Sequence, residues 1–107
     1  MRRVLFLEDN NDLCKMYGQI VEHEDGIQAE FSKTPDTIRK SLNGSWDLIV
    51  ADLDIPGIKT EEIIKLAKSP LVFLTGGESS AVTAAHKVYQ KHNLIALLPK
   101  IFKENLK

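Results

Sequence analysis

The sequence predicts an α/β fold: a doubly wound sheet of five parallel strands in the order 2-1-3-4-5, with a truncated last helix. Three observations point there. Short apolar runs alternate with amphipathic stretches along the chain, the pattern of strand–helix–strand units. The run Leu48-Ile49-Val50-Ala51 is continuous rather than alternating, as in a parallel strand covered on both faces. Cap and turn residues punctuate each change of pattern.

Taken in order, Val4 to Leu7 is the first strand. Leu13, Met16, Tyr17, Ile20 and Val21 then recur at helical spacing, and Asn10 to Asp12 supply caps for that helix. Gly26 ends it, and Ile27 to Phe31 is a second, weaker strand. Thr34-Pro35-Asp36 starts a helix with a capping hydroxyl, a proline in the first turn and an acid near the positive end of the dipole. Ile38 and Leu42 face inward from it, and Asn43-Gly44 stops it.

Leu48 to Ala51 is the third strand, followed by a Pro56-Gly57 loop. Thr60 is placed to cap a short helix through Ala67. Pro70 opens a fourth strand, Leu71 to Leu74, and Thr75-Gly76-Gly77 turns the chain. Ser79 or Ser80 caps a helix in which Val82, Ala85, His86 and Tyr89 share a face. Asn93 stops it, and Leu94 to Leu98 is the fifth strand, with Pro99 tolerated at a sheet edge. The seven residues from Ile101 to Lys107 leave only a stub of a last helix.

Composition narrows the function classes. The chain has 107 residues, which suits one domain over 1–107 and a core that needs no staples. A hydrophobic fraction of 43% and a charged fraction of 27% are those of a soluble globular protein. The net charge of −1 gives no electrostatic case for nucleic acid as a partner. The first 53 residues carry six basic and ten acidic side chains, the remainder eight and five, so a basic surface around Lys87, Lys91 and Lys103 is the alternative to plain solvated faces. The lone Cys14 forms no internal disulfide, which fits a reducing, cytoplasmic setting. Arg2-Arg3 precedes only four apolar residues, too few for export or a membrane span.

In doubly wound sheets, ligands bind at the carboxyl ends of the strands, where the strand order reverses. Those ends carry a consistent set: Glu8-Asp9 after strand one, Asp52 after strand three, Thr75 after strand four and Lys100 after strand five. Order 2-1-3-4-5 makes strands one and three neighbours, so Glu8, Asp9 and Asp52 converge. Three carboxylates that close repel one another unless a cation is present. An all-oxygen set of high charge suits Mg²⁺. A hydroxyl and an ammonium opposite complete a site for a tetrahedral anion. Taken singly, each residue also reads as a helix cap, a turn former or a solvated charge; the ordered set is what those duller readings fail to explain.

Val4-Leu5-Phe6-Leu7-Glu8-Asp9-Asn10, then Asp47 through Gly57, Val72-Phe73-Leu74-Thr75-Gly76 and Leu98-Pro99-Lys100-Ile101-Phe102 together resemble the receiver domains of bacterial two-component response regulators, the CheY-like superfamily. The resemblance covers essentially the whole chain. It implies that Asp52 is the phosphoacceptor, taking its phosphoryl group from a sensor histidine kinase or phosphotransfer protein. It implies that Asp9 binds Mg²⁺ directly, Glu8 through water, and Asp54 through its backbone carbonyl. Thr75 would bond the phosphoryl group and Lys100 would pair with it. A carboxylate attacks an anionic phosphoryl group poorly unless metal and ammonium cancel the charge.

The sequence departs from that family in four places. Ile101 follows Lys100, where relatives usually have proline. Leu97 stands three residues before Lys100, where an aromatic switch residue is usual. Asp54 adds a charge beside the site. The segment from Asp52 to Thr75 is short, and so is the last helix.

The leading function is therefore a non-enzymatic phosphoacceptor receiver that signals by protein contact. The alternative is a receiver-fold interaction module whose switch is weakened. A flavin or nucleotide carrier is disfavoured, because acidic Glu8-Asp9-Asn10 stands where a phosphate loop is needed. Expected partners are the kinase, a downstream protein and, across the last strand and helices, a second copy of the chain; no nucleic acid or membrane is expected.

Overall fold

A computed structural model describes residues 1–76 and 86–106. The apolar runs become strands β1 (Arg2–Leu7), β2 (Ile27–Ser32), β3 (Leu48–Asp52), β4 (Leu71–Thr75) and β5 (Val88–Gln90). They are joined by helices α1 (Asn11–Glu22), α2 (Pro35–Leu42), α3 (Thr60–Leu66) and α4 (Leu94–Asn105). All pairings are parallel, and the sheet order is β2-β1-β3-β4-β5.

Strand alternation sorts the core onto two faces. Val4, Phe6, Leu48, Val50, Val72 and Leu74 point to one side, where Tyr17 and Val21 of α1 and Leu98, Ile101 and Phe102 of α4 cover them. Leu5, Leu7, Ile49, Ala51 and Phe73 point to the other, under Ile38 and Leu42 of α2 and Ile63 of α3. Every residue of β3 is buried, which is why its sequence has no polar alternation.

Local signals account for the helix starts. Asn10 caps α1 by accepting from the Leu13 N–H at 3.0 Å. Thr34 and Thr37 form a capping box at α2, with Pro35 in its first turn. Thr60 does not cap α3; the N-cap is Lys59, and the Thr60 hydroxyl instead donates to the Leu53 carbonyl at 3.1 Å. That bond ties the loop after β3 to the start of α3. Gly57 lets the same loop lie against α2: its φ is +86°, and a Cβ there would sit 2.8 Å from the Pro35 ring.

The last third of the chain differs from expectation. Leu94 to Leu98 is not the fifth strand but the first part of α4, a helix of 12 residues. Leu94, Leu97, Leu98, Ile101 and Phe102 repeat at helical spacing, and Leu98, Ile101 and Phe102 are buried against the sheet. The expected truncated last helix is thus corrected, because the apolar run completes the helix that covers that face. Pro99 lies inside α4 rather than on an edge strand. The fifth strand is the three-residue Val88–Gln90, so the expected helix does not run through Tyr89. His86, also expected on that helix, is described and is not helical, whereas Ser79, Ser80, Val82 and Ala85 lie outside the described residues.

Candidate functional site

Adjacent strands deliver the site groups at one edge of the sheet. Glu8 follows β1 and is held in the strand direction by its N–H on the Ser32 carbonyl at 3.2 Å. Asp52 is the last residue of β3. Its successor Leu53 still donates to the Leu74 carbonyl at 3.0 Å, so the backbone beside Asp52 is fixed. Thr75 ends β4 and is buried. Its carbonyl accepts from the Lys91 N–H at 2.7 Å, which pins the residue after β5 beside it.

Glu8, Asp9 and Asp52 come together: each offers a carboxylate oxygen, and those atoms all lie within 4.8 Å of one another. Glu8 is 2% exposed and Asp52 9%, whereas Asp9 is open to solvent. Such a hard, all-oxygen set fits a small dication such as Mg²⁺. Asp54 is exposed, two residues beyond Asp52.

Among the described residues, the cation facing this cluster is Lys91. Its Nζ lies 2.9 Å from Asp52 Oδ1 and 3.2 Å from Glu8 Oε1. Lys100, expected at the end of strand five, lies instead within α4, because the run before it is helical. In the sequence, Lys91 stands out only as part of a basic surface. The signal that finds it is Val88-Tyr89, a β-branched and aromatic pair of high strand preference just ahead of a lysine.

Two further hydrogen bonds hold Glu8. The Tyr17 hydroxyl donates to Oε1 at 3.3 Å, and the Asn10 N–H donates to Oε2 at 3.3 Å. Tyr17 was legible only as a core position. Burial, aided by the charge of Asp52, raises the Glu8 pKa; Lys91 and the Asn10 N–H oppose that without reversing it. Burial alone would lower the Lys91 pKa, but the hydrogen bond and charge of Asp52, together with Glu8, raise it. Lys91 is therefore a firm cation at neutral pH. Nearby Cys14 is buried, its thiol donating to the Glu8 carbonyl at 3.4 Å, and burial pushes its pKa up. That is the setting of an inert thiol.

Chemically, the edge pairs a buried carboxylate with an ammonium at hydrogen-bond distance, two further carboxylates and a buried threonine. That set suits transfer of an anionic group onto Asp52.

No protein-family model matches the chain. Among curated proteins it is similar to response regulator ArlR of Staphylococcus saprophyticus, 29% identical over 80 residues, which are 70% of this chain and 36% of that protein. The chain thus spans about a third of that relative's length. Among solved structures it is similar to the response regulator TrrA of Thermotoga maritima in complex with Mg(2+)-BeF, with TM-score 0.83 and 22% identity over 99% of this chain and 100% of that one. TrrA in complex with histidine kinase ThkA matches at TM-score 0.81 and 20% identity, with both chains covered completely at 100%. The receiver domain of hybrid histidine kinase CckA matches at TM-score 0.77 and 21% identity, over 98% of this chain and 99% of that one. Among the described residues, no helix is long and apolar enough to cross a membrane. With its five parallel strands in the order β2-β1-β3-β4-β5, the chain has the fold of response regulator receiver domains.

Proposed function

We propose that this chain is a phosphoacceptor receiver domain of a two-component system, cytoplasmic, with Asp52 as the acceptor. The observation that carries the reading is Lys91 within 2.9 Å of Asp52 Oδ1, beside the Glu8–Asp9–Asp52 cluster. Asp9, Asp52, Glu8 and the Asp54 carbonyl would hold Mg²⁺. When bound, that ion would draw negative charge off the phosphoryl oxygens.

An Asp52 carboxylate oxygen attacks phosphorus. The P–N bond to a kinase or phosphotransfer histidine breaks, its electron pair returns to the imidazole, and an acyl phosphate remains on Asp52. Lys91 trades its ion pair with Asp52 for one with a phosphoryl oxygen, and so follows the charge as it moves. The Thr75 hydroxyl donates to another oxygen. The chain is an acceptor and signal carrier rather than an enzyme acting on a separate substrate. The similarity to TrrA, solved in complex with histidine kinase ThkA, supports a histidine kinase as the donor.

One observation favours a second reading, an interaction module with an altered switch. With Lys91 as the site lysine, the position three residues earlier is Val88, and the residue that follows is His92. Neither is the aromatic or proline usual in the family. The nearby Tyr89 hydroxyl is tied to α4 instead, donating to Glu104 at 2.7 Å and accepting from Asn105 at 3.1 Å.

Incubation with Mg²⁺ and acetyl phosphate separates the two. A receiver gains the mass of one phosphoryl group, and Asp52→Asn does not. A chain with no gain, and no binding of beryllofluoride, has abandoned the switch.

A further inference from the structure

The Tyr17 hydroxyl has no packing reason to exist. Tyr17 is 1% exposed on the buried stripe of α1, and its ring stacks on Phe6 with centroids 5.1 Å apart. Phe6 in turn stacks on Phe31 at 5.3 Å. Phenylalanine would fill that pile as well and would bring no polar atom that must be satisfied. The phenol O–H is satisfied by Glu8 Oε1, at 3.3 Å.

The two donors on Glu8 Oε1 differ in kind. Lys91 reaches it on a flexible stem and shares its ammonium with Asp52. Tyr17 reaches it from a ring fixed between helix and sheet. With Oε2 taken by the Asn10 N–H, the carboxylate is gripped at both oxygens even when Lys91 turns elsewhere.

We propose that Tyr17 is a positioning residue of the acidic site: its hydroxyl holds the Glu8 carboxylate in the orientation that accepts a divalent cation, independently of Lys91. This rests on the cation-binding reading above. Loss of such an outer hydrogen bond to a metal-binding carboxylate weakens cation binding without touching the cation itself.

The test is calorimetric titration of the full chain with MgCl₂. Tyr17→Phe keeps the ring stack, and should bind Mg²⁺ about 10-fold more weakly than wild type. Tyr89→Phe should bind like wild type. The chain has two tyrosines, so Tyr89→Phe leaves Tyr17 alone. Its near-ultraviolet difference spectrum on Mg²⁺ saturation should show a tyrosine-band change, a signature that a purely structural phenol would not give. That spectrum also decides the matter if Tyr17→Phe does not fold. Equal Mg²⁺ affinity in Tyr17→Phe, or a silent tyrosine band in Tyr89→Phe with Mg²⁺ bound, overturns the role of Tyr17 alone. A wild type that binds no Mg²⁺ overturns the cation site, and this role with it.

Discussion

β3 and β5 both end at the site, yet they are built in opposite ways. β3 lies inside the sheet between β1 and β4, and all five of its residues are buried. β5 lies at the sheet edge against β4, has three residues, and leaves each of them at least partly exposed. The difference matches what each strand carries. Asp52, on β3, is a group whose position the core dictates. Lys91, after β5, is a long cation anchored chiefly through its backbone N–H on Thr75 and free to change partners at its tip. A fixed carboxylate beside an adjustable ammonium would suit the phosphoryl transfer proposed above, in which new negative charge must be met on Asp52.

Substitutions can break or sharpen that contrast. The largest effect should come from the centre of the sheet. Ile49→Ala, fully buried, is expected to lower stability by about 4 kcal/mol. Val88→Ala on the edge strand should lower it by only about 1 kcal/mol. Urea denaturation of the two variants measures the difference directly.

Next comes the counter-charge. Lys91→Ala leaves Glu8 and Asp52 facing each other without their ammonium, and breaking a buried pair in this way costs about 3 kcal/mol. Saturating Mg²⁺ should return most of that loss. Denaturation with and without the ion tests it, and a loss that Mg²⁺ does not relieve would mean that the cluster is not a cation site.

Glu8 should give a smaller effect of opposite sign. Its pKa is raised on folding, chiefly by burial. Such a group favours the fold below the unfolded-chain pKa, and that contribution is lost as pH rises through the folded value. At neutral pH its buried charge is therefore a burden. Glu8→Gln should raise the melting temperature of the metal-free chain by a few degrees near neutral pH, and by nothing at a pH below the ordinary glutamate range. Thermal denaturation at the two pH values reads both. The same variant should bind Mg²⁺ more weakly.

The smallest effect concerns the far end of the sheet. Trp46 precedes β3, about 20 Å from Asp52 along the strand. It is held there by Arg3 lying 4.3 Å over its ring and by its indole N–H on the Ser41 carbonyl at 2.8 Å. Its fluorescence should stay unchanged when Mg²⁺ is added.

The same contrast explains what could be read from residues alone. β3 announces itself: a run of apolar residues closed by Asp52 and followed by Pro56-Gly57. The carboxylates of the site follow from it and from β1, whose run ends at Glu8-Asp9. β5 does not announce itself, because an edge strand of two half-exposed residues and one exposed residue has no apolar run to show. The stronger run just after it, Leu94 to Leu98, belongs to a helix. A short apolar run does not distinguish a buried strand from a buried helix face, and Pro99 just after it weighs against helix. The pattern that decides lies further on: Leu98, Ile101 and Phe102 continue the helical period to a buried Leu106. The hydroxyl of Tyr17 was invisible for a different reason. A stripe position fixes which ring is buried, but only three-dimensional placement shows that its oxygen meets Glu8.

In the function proposed above, Asp52 accepts a phosphoryl group with the help of Lys91. Intact-mass kinetics with acetyl phosphate and Mg²⁺ test it most directly, run on wild type, Asp52→Asn, Lys91→Ala and Lys100→Ala. Wild type should take up one phosphoryl group and Asp52→Asn none, with a rate about 100-fold lower for Lys91→Ala and a wild-type rate for Lys100→Ala. Uptake by Asp52→Asn equal to wild type, or a Lys100→Ala defect with Lys91→Ala unaffected, would contradict it.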